Sequence, residues 1–143
     1  MTNKPHLYIV RGLPGAGKST FVRQYLNYCV HFEADQFFIR NGVYRFKGKQ
    51  IEAAHSWCYG QVVYYLDRGY DVAVSNTFTM MWELEKYLDI PCLVDCTISV
   101  VEMKTQFNSV HGIPDDKFEI MKNRWEEIPQ QWIDDGLFVR VID

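Results

Sequence analysis

Hydrophobic residues come in short runs along this chain, separated by longer amphipathic or polar stretches. Each run is too short for a helix and ends near glycine, proline or polar residues, which is typical of a buried strand. The pattern predicts five strands, over residues 6–10, 29–33, 71–75, 97–103 and 136–142.

The stretches between these runs carry apolar residues at helical spacing. They predict helices over residues 18–28, 51–68, 79–88 and 115–127. Gly69 is suited to end the second helix, and Thr79 is suited to cap the start of the third. Residues 40–50 and 108–114 are predicted to be loops, and the pattern over residues 91–96 is ambiguous.

Strands that alternate with helices indicate a parallel sheet, because right-handed crossovers place the helices on its two faces. We therefore predict a doubly wound α/β fold with a mainly parallel, five-stranded sheet and helices on both faces. A length of 143 residues suits a single domain over residues 1–143, with one core.

Composition narrows the class of protein. Hydrophobic residues make up 48% of the chain and charged residues 23%, as in globular rather than disordered proteins. Residues 1–5 are polar, and no apolar run approaches the roughly 20 residues of a membrane span. We expect a cytoplasmic protein with no membrane partner. Its net charge of −3 argues against indiscriminate nucleic-acid binding.

The four cysteines, Cys29, Cys58, Cys92 and Cys96, show no CxxC spacing, so we expect reduced thiols. Cys92 and Cys96 have the spacing of neighbours on one helix face and would suit a pair of metal ligands. Because no histidine lies near them in sequence, the interpretation as buried thiols is favoured.

The strongest chemical signal is the segment GLPGAGKS at residues 12–19, which matches the phosphate-loop pattern GxxxxGK[ST]. It follows a predicted strand and opens a predicted helix. Glycines at these positions let backbone N–H groups and the helix N-terminus point at a phosphate. The residues expected to contact the nucleotide are Gly12, Leu13, Pro14, Gly15, Ala16, Gly17, Lys18, Ser19 and Thr20.

Two residues of this loop have specific roles. Lys18 is expected to place a positive charge on the β- and γ-phosphates, and the Ser19 hydroxyl is expected to be a ligand of Mg²⁺. The loop alone does not separate ATP from GTP. Because the sequence has no NKxD-type segment for reading guanine, ATP with Mg²⁺ is the favoured cofactor.

Asp35 follows the predicted second strand, and the carboxyl ends of the strands face the ligand crevice in doubly wound folds. Its carboxylate could accept the proton of an attacking hydroxyl, or hold a Mg²⁺-bound water. The alternative is that Asp35 caps a helical turn.

A basic stretch follows Asp35. Arg40, Arg45, Lys47 and Lys49 alternate there with aromatic residues, and residues 40–50 contain no acid. Cations and stacking faces suit a nucleotide or polynucleotide acceptor, which makes Arg40 and Arg45 candidate substrate-binding residues. A solvated loop whose aromatic residues pack on the core is the more common alternative.

The segments GLPGAGKST, EADQFF, NGVYRF, AHSWC, VSNTFT and HGIPDDKFEIMKNRWE occur in this order. On these motifs, residues 7–127 resemble AAA-type P-loop ATP-binding proteins and kinases allied to phage polynucleotide kinase. The resemblance implies that the glycine loop binds ATP, that Asp35 activates a 5′-hydroxyl as a general base, and that a lid at about residues 104–124 closes over the phosphates.

Two features depart from that family. The third strand ends in Ser75 and Asn76 where polynucleotide kinase has an aspartate, and residues 104–114 contain no arginine to stabilise the transferring phosphoryl group. The candidate substitutes are Lys104, His111, Lys117 and Arg124. Arg124 is favoured as a catalytic residue, although it could instead pair with Glu127 along its helix.

These features predict a kinase that transfers the γ-phosphoryl group of ATP to a hydroxyl of a nucleic acid 5′ end or a nucleoside-like acceptor. Two alternatives stay open. One is an ATP-binding regulatory module that hydrolyses ATP slowly or not at all, and the other is a small-metabolite kinase.

Overall fold

The computed structural model describes residues 4–104 and 115–143. The strands in chain order are β1 (His6–Gly12), β2 (Val30–Phe32), β3 (Ile39–Arg40), β4 (Val43–Tyr44), β5 (Val72–Asn76), β6 (Thr97–Met103) and β7 (Val139–Ile142). The α-helices are α1 (Lys18–Tyr25), α2 (Ile51–Asp67), α3 (Met81–Leu88), α4 (Asp115–Asn123) and α5 (Gln130–Asp134). Short 3-10 helices span Ala34–Phe38, Gly48–Gln50 and Ile90–Cys92. The predicted loop at 108–114 lies outside the described residues, as does much of the predicted lid.

Five strands form one parallel sheet in the order β2-β5-β1-β6-β7. The strand β1 lies at its centre, where Leu7 is level with Val72 of β5 and with Ile98 of β6. Parallel neighbours need crossover connections, and helices supply them on both faces of the sheet. The predicted doubly wound α/β fold with a five-stranded sheet is confirmed.

Alternating side chains of β1 fill two hydrophobic cores, one on each face of the sheet. Leu7 and Ile9 pack with residues of α2 and α3 on one face, and Val10 packs with Phe21 and Val22 of α1 on the other. All three β1 side chains are fully buried. Burial of each side chain contributes about 1.5–3 kcal/mol to the free energy of folding. The tightly packed strand β1 therefore holds the residues at its carboxyl end in place.

Helices α1, α3 and α4 are shorter than predicted at their ends, and α4 ends at Asn123 rather than at residue 127. The helix α1 ends at Tyr25, because Leu26 leaves the helical conformation. The helix α3 begins at Met81, so Thr79 is not its cap. The carboxylate of Glu83 instead accepts hydrogen bonds from the Met80 N–H and the Thr79 hydroxyl, both at 3.3 Å. A side chain inside the helix therefore reaches back over its amino end.

Residues 40–50 are not all loop as predicted. The strands β3 and β4 form a two-stranded antiparallel hairpin, in which Arg40 lies opposite Val43. Asn41 and Gly42 make the turn between them with φ values of 53° and 77°. Asn-Gly is favoured in such turns, because both central residues need positive φ. The prediction missed the hairpin because two-residue strands are too short to show alternation.

The two clustered cysteines lie on different elements. Cys92 ends a 3-10 helix and is exposed, whereas Cys96 lies just before β6 and is buried. They therefore do not share a helix face, and the interpretation as buried thiols holds for Cys96 but not for Cys92. Burial raises the pKa of the Cys96 thiol and also that of the buried Cys58 thiol.

No helix within residues 4–104 or 115–143 has the length and apolar character needed to cross a membrane.

Candidate functional site

The glycine loop connects the end of β1 to the start of α1. Gly17 precedes α1 with a φ of 88°, a left-handed conformation that glycine adopts without steric cost. A Cβ atom on Gly12 would lie 3.0 Å from both Cβ and O of Met103, so only glycine lets β1 and β6 end this close together. The N–H groups of the first turn of α1 have no carbonyl partners within the helix, which suits them to phosphate oxygens.

Lys18 folds back over this loop. Its ammonium group donates hydrogen bonds to the carbonyl oxygens of Gly12 and Leu13 at 2.9 and 3.0 Å. Burial lowers the pKa of Lys18 to about 8, and the carboxylates of Glu33 and Asp35 oppose that shift. The loop thus holds a partly desolvated cation at its centre, where an anion would stabilise the charged form.

Ser19 joins a group of polar side chains that we call the serine–glutamate cluster, comprising Ser19, His31, Glu33 and Ser75. The Ser19 hydroxyl donates a hydrogen bond to Glu33 Oε1. The Ser75 hydroxyl, at the end of β5, donates to the same oxygen at 3.0 Å. His31 Nε2 lies 2.6 Å from Ser75 Oγ, and burial lowers the pKa of this histidine while Glu33 opposes the shift.

Sequence reasoning did not single out Glu33, because it placed this residue inside the second strand. The strand β2 ends at Phe32, which leaves Glu33 at the carboxyl edge of the sheet. The rule that selected Asp35, an acidic residue at the end of a parallel strand, applies equally to Glu33.

Asp35 is exposed in the first turn of the 3-10 helix at Ala34–Phe38. The position preceding that helix is occupied by Glu33, so the alternative interpretation of Asp35 as a cap is wrong. The Ala34 N–H donates to Asn76 Oδ1 at 2.9 Å, which ties this helix to the end of β5. The Tyr44 hydroxyl lies 3.5 Å from Asp35 Oδ1. Burial, and secondarily the Asp35 carboxylate, raise the pKa of Tyr44.

Arg40 and Arg45 line one cavity beside this 3-10 helix, with a volume of about 420 Å³. The Arg40 guanidinium lies 6.0 Å from the ring centroid of Phe37. The nearby rings of Tyr44 and Phe46 are 53% and 47% exposed, and both pack against the buried ring of Phe38. The residues lining the cavity are Phe37, Phe38, Arg40, Asn41, Val43, Arg45, Lys47 and Gln50.

The cations proposed for the lid occupy different surroundings. Lys104 donates to both carboxylate oxygens of Glu127 at 3.0 Å, so Glu127 pairs with Lys104, and the alternative interpretation of Arg124 as its partner is wrong. The helix α4 ends at Asn123, which leaves Arg124 exposed just beyond it. The ammonium of Lys117 lies 5.5 Å from the ring centroid of Phe46. His111 lies outside the described residues.

A second polar group was also missed by sequence reasoning. We call it the anchor cluster, comprising Arg11, Phe78, Glu102, Trp125 and Glu126. The fully buried Arg11 donates two hydrogen bonds to the Phe78 carbonyl, at 2.7 and 3.0 Å, and one to the Glu126 carbonyl at 2.9 Å. Its guanidinium lies 3.7 Å from the Trp125 ring centroid and 3.6 Å from Glu102 Oε2. These contacts join β1, β6 and the segment after α4.

Comparison with known families decides the family of this chain. A model of the AAA domain family matches residues 7–107. The chain belongs to the AAA domain family. The resemblance to AAA-type P-loop ATP-binding proteins, first seen in the short motifs, is therefore confirmed.

This AAA domain is also similar to one part of a much larger human protein. It is 30% identical over 86 residues to NEDD4-binding protein 2 of Homo sapiens. That match covers 57% of this chain and 5% of the human protein.

Solved structures share the fold of this AAA domain. A chain of the Pnkp1/Rnl/Hen1 RNA repair complex matches 96% of it with a TM-score of 0.62 and 20% identity, over 44% of that chain. Chaetomium thermophilum Kti12 in complex with ADP-AlF3 matches 96% with a TM-score of 0.65 and 18% identity, over 89% of that chain. A gluconokinase from Sinorhizobium meliloti matches 99% with a TM-score of 0.63 and 12% identity, over 83% of that chain. The fold is thus that of P-loop kinases.

Proposed function

We propose that this chain binds Mg-ATP at the glycine loop and transfers the γ-phosphoryl group to a hydroxyl of an acceptor held in the 420 Å³ cavity. One observation carries the proposal. The 3-10 helix at Ala34–Phe38 connects the two sites: the preceding Glu33 contacts Ser19 of the glycine loop, and Phe37 and Phe38 line the cavity. Asp35 lies on the same short helix and is close enough to influence the pKa of Lys18.

Each residue of the loop side has a role in this proposal. Lys18 exchanges its contacts with Gly12 and Leu13 for phosphate oxygens, and the N–H groups of residues 15–20 cradle the β-phosphate. Ser19 is the Mg²⁺ ligand, and its hydroxyl and the adjacent Glu33 carboxylate are oxygen groups of the kind that suit this ion. Bound Mg²⁺ neutralises charge that builds up on the phosphates.

Asp35 is the proposed general base. It takes the proton of the acceptor hydroxyl as that oxygen bonds to the γ-phosphorus, and the bond from this phosphorus to the β,γ-bridging oxygen breaks to release ADP. Its exposed position suits contact with a mobile acceptor group. Arg124 is the proposed cation that stabilises the transferring group, because Lys104 is already held by Glu127.

The acceptor is proposed to carry a nucleobase and, where it is a nucleic acid 5′ end, a phosphate as well. Arg40 and Arg45 offer charge to a phosphate, and Phe37 offers a face for stacking. A cavity of about 420 Å³ lies in the usual size range of small-ligand sites. A nucleic acid 5′ end agrees with the similarity to a chain of an RNA repair complex, whereas a small metabolite agrees with the similarity to a gluconokinase.

The experiment is transfer of labelled γ-phosphate from ATP to a panel of 5′-hydroxyl DNA and RNA oligonucleotides, nucleosides and sugars. We expect label on an oligonucleotide or nucleoside. The matched controls are the same oligonucleotides with a 5′-phosphate, which have no 5′-hydroxyl to accept the phosphoryl group. If phosphate is released to water at the same rate with every acceptor and none is labelled, the chain is a slow ATP-hydrolysing module rather than a kinase.

A further inference from the structure

The Glu33 carboxylate lies where three elements of the proposed Mg-ATP site converge. It accepts hydrogen bonds from Ser19, at the start of α1, and from Ser75, at the end of β5. Glu33 itself follows β2, and in the described structure its carboxylate makes no capping bond to the 3-10 helix that it precedes. Its contacts with the two hydroxyls are therefore not explained by helix capping.

Ser75 stands at a strand end next to β1, where other P-loop proteins can hold a Mg²⁺-binding aspartate. The strand β5 is the direct neighbour of β1, and Ser75 is level with Val10 near the start of the glycine loop. In P-loop NTPases, Mg²⁺ is held by the loop Ser or Thr together with an aspartate from another strand end. This chain has a hydroxyl at the end of β5, and its carboxylate comes from the next strand outward, β2.

The strand β2 lies one strand farther from β1 than β5 does, and the longer side chain of glutamate helps to span that distance. Phe32 of β2 is level with Val74 of β5. The next residues along the two strands, Glu33 and Ser75, therefore lie side by side at the same edge of the sheet. The Glu33 carboxylate reaches the Ser19 hydroxyl at the start of α1, and the Ser75 hydroxyl donates to the same carboxylate oxygen at 3.0 Å. His31 Nε2, 2.6 Å from Ser75 Oγ, completes the hydrogen bonding of that hydroxyl.

We propose that Glu33 is the positioning residue for Mg²⁺ in this chain and that it does, from β2, what an aspartate on β5 would otherwise do. It acts through Ser19: by accepting the hydroxyl hydrogen, it directs the oxygen lone pairs of Ser19 toward the ion and strengthens that ligand. Ser75 holds the Glu33 carboxylate in place. The inference rests on the proposed Mg-ATP site and names the residue on which its metal affinity depends.

The test measures ATP affinity by calorimetry with Mg²⁺ and with EDTA, in the parent and in Glu33→Gln. The ratio of the two affinities reports how much Mg²⁺ strengthens ATP binding. We expect Glu33→Gln to keep the affinity measured in EDTA within severalfold but to lower this ratio by about 10- to 100-fold, the usual effect of removing an outer hydrogen-bond partner of a metal ligand. Glu52→Gln, an exposed acid on α2, is the matched control and should keep the parental ratio.

Moving the carboxylate gives a second arm. Adding Ser75→Asp to Glu33→Gln places an acid on the strand next to β1, and we expect this double variant to recover most of the parental ratio. A role of Glu33 in fold stability alone does not predict that recovery. If Glu33→Gln fails to fold, the double variant alone tests the proposal. Equal ATP affinities with Mg²⁺ and with EDTA in the double variant would then overturn it.

Two other outcomes are distinct. A parental ratio in Glu33→Gln would show that Glu33 does not position Mg²⁺, and the proposal would be wrong. Failure of the parent itself to bind ATP in EDTA or in Mg²⁺ would contradict the proposed function, and the assignment of Glu33 would fall with it.

Discussion

The serine–glutamate cluster and the anchor cluster both lie at the carboxyl edge of the parallel sheet, but they satisfy their charges differently. Arg11 of the anchor cluster is fully buried and donates to backbone carbonyls of Phe78 and Glu126. Glu33 is 26% exposed in its side chain and accepts from two serine hydroxyls. Backbone carbonyls that accept hydrogen bonds from a charged group are held in place by the fold. Serine hydroxyls can rotate, so they can change hydrogen-bond partners when a ligand binds.

The comparison also explains an unusual backbone conformation. Phe78 has a φ of 47°, which is uncommon for a residue other than glycine, and its buried ring packs against Tyr87. The two hydrogen bonds from Arg11 to its carbonyl offset the strain at this point. The anchor cluster therefore stabilises the fold. We expect substitutions in it to alter the free energy of unfolding more than the activity.

The largest effect on the functional side is expected from Asp35→Asn. Loss of a general base should lower phosphoryl transfer by about 10²–10⁴, while ATP affinity stays within severalfold and the melting temperature is unchanged, because Asp35 is exposed. Single-turnover transfer and calorimetry measure the two quantities. Turnover equal to that of the parent would remove Asp35 from the mechanism.

The largest effect on the anchor side is expected from Arg11→Met. It should lower the free energy of unfolding by about 3–5 kcal/mol, because Glu102, whose side chain is 5% exposed, loses its buried partner and keeps only the Lys104 ammonium, at 3.7 Å, as a counter-charge among the described residues. Urea denaturation measures it. Lys4→Met is the matched control: it breaks the exposed pair with Asp95 and should cost less than about 1 kcal/mol. Similar losses in both variants would remove the distinction between the buried pair and an exposed pair.

Lys18→Ala should weaken ATP binding by about 100-fold or more, since its ammonium group is the proposed phosphate contact and residues 12–20 carry no other positively charged side chain. The free energy of unfolding of this variant should stay near that of the parent, because the ammonium group donates to carbonyls of the glycine loop. Calorimetry and thermal unfolding of the same sample test both halves. Parental ATP affinity in this variant would show that the loop is not the nucleotide site.

The smallest expected effect is that of the paired change Arg40→Ala, Arg45→Ala. It should leave ATP affinity unchanged and raise the acceptor KM severalfold, because the two cations line the cavity rather than the loop. With a polynucleotide acceptor, each lost phosphate contact should also reduce the slope of log affinity against log salt by about 0.7 to 0.9. An unchanged slope with a good acceptor would favour a small-molecule kinase.

The five strands of the parallel sheet, the helices α1 to α4 and the glycine-loop motif could be predicted because they leave local signals, whereas the five-residue helix α5 was missed. A short apolar run before GLPGAGKS and helical spacing after it are readable within a few residues. The 3-10 helix that carries Asp35 and the short hairpin gave too few residues for a periodic pattern. The Asn41-Gly42 pair was the signal for that hairpin.

The two polar clusters could not be predicted in the same way, because their members are far apart in the chain. Arg11 meets Phe78 and Glu126, and Ser19 meets Glu33 and Ser75, only once the strand order is known. Glu33 was within reach, since it sits at a strand end like Asp35. Because β2 ends at Phe32, Glu33 lies beyond the strand and can take part in the site.

The short length of β2 has a consequence for how the site behaves over time. This strand has three residues, lies at the edge of the sheet and pairs only with β5 within it. Edge segments open locally at much lower free energy than central strands, without unfolding the core. Each such opening would carry Glu33 away from Ser19, so ligand that keeps the cluster assembled must also slow amide hydrogen exchange at Val30–Phe32. The nucleotide site would then fail on warming before the sheet does.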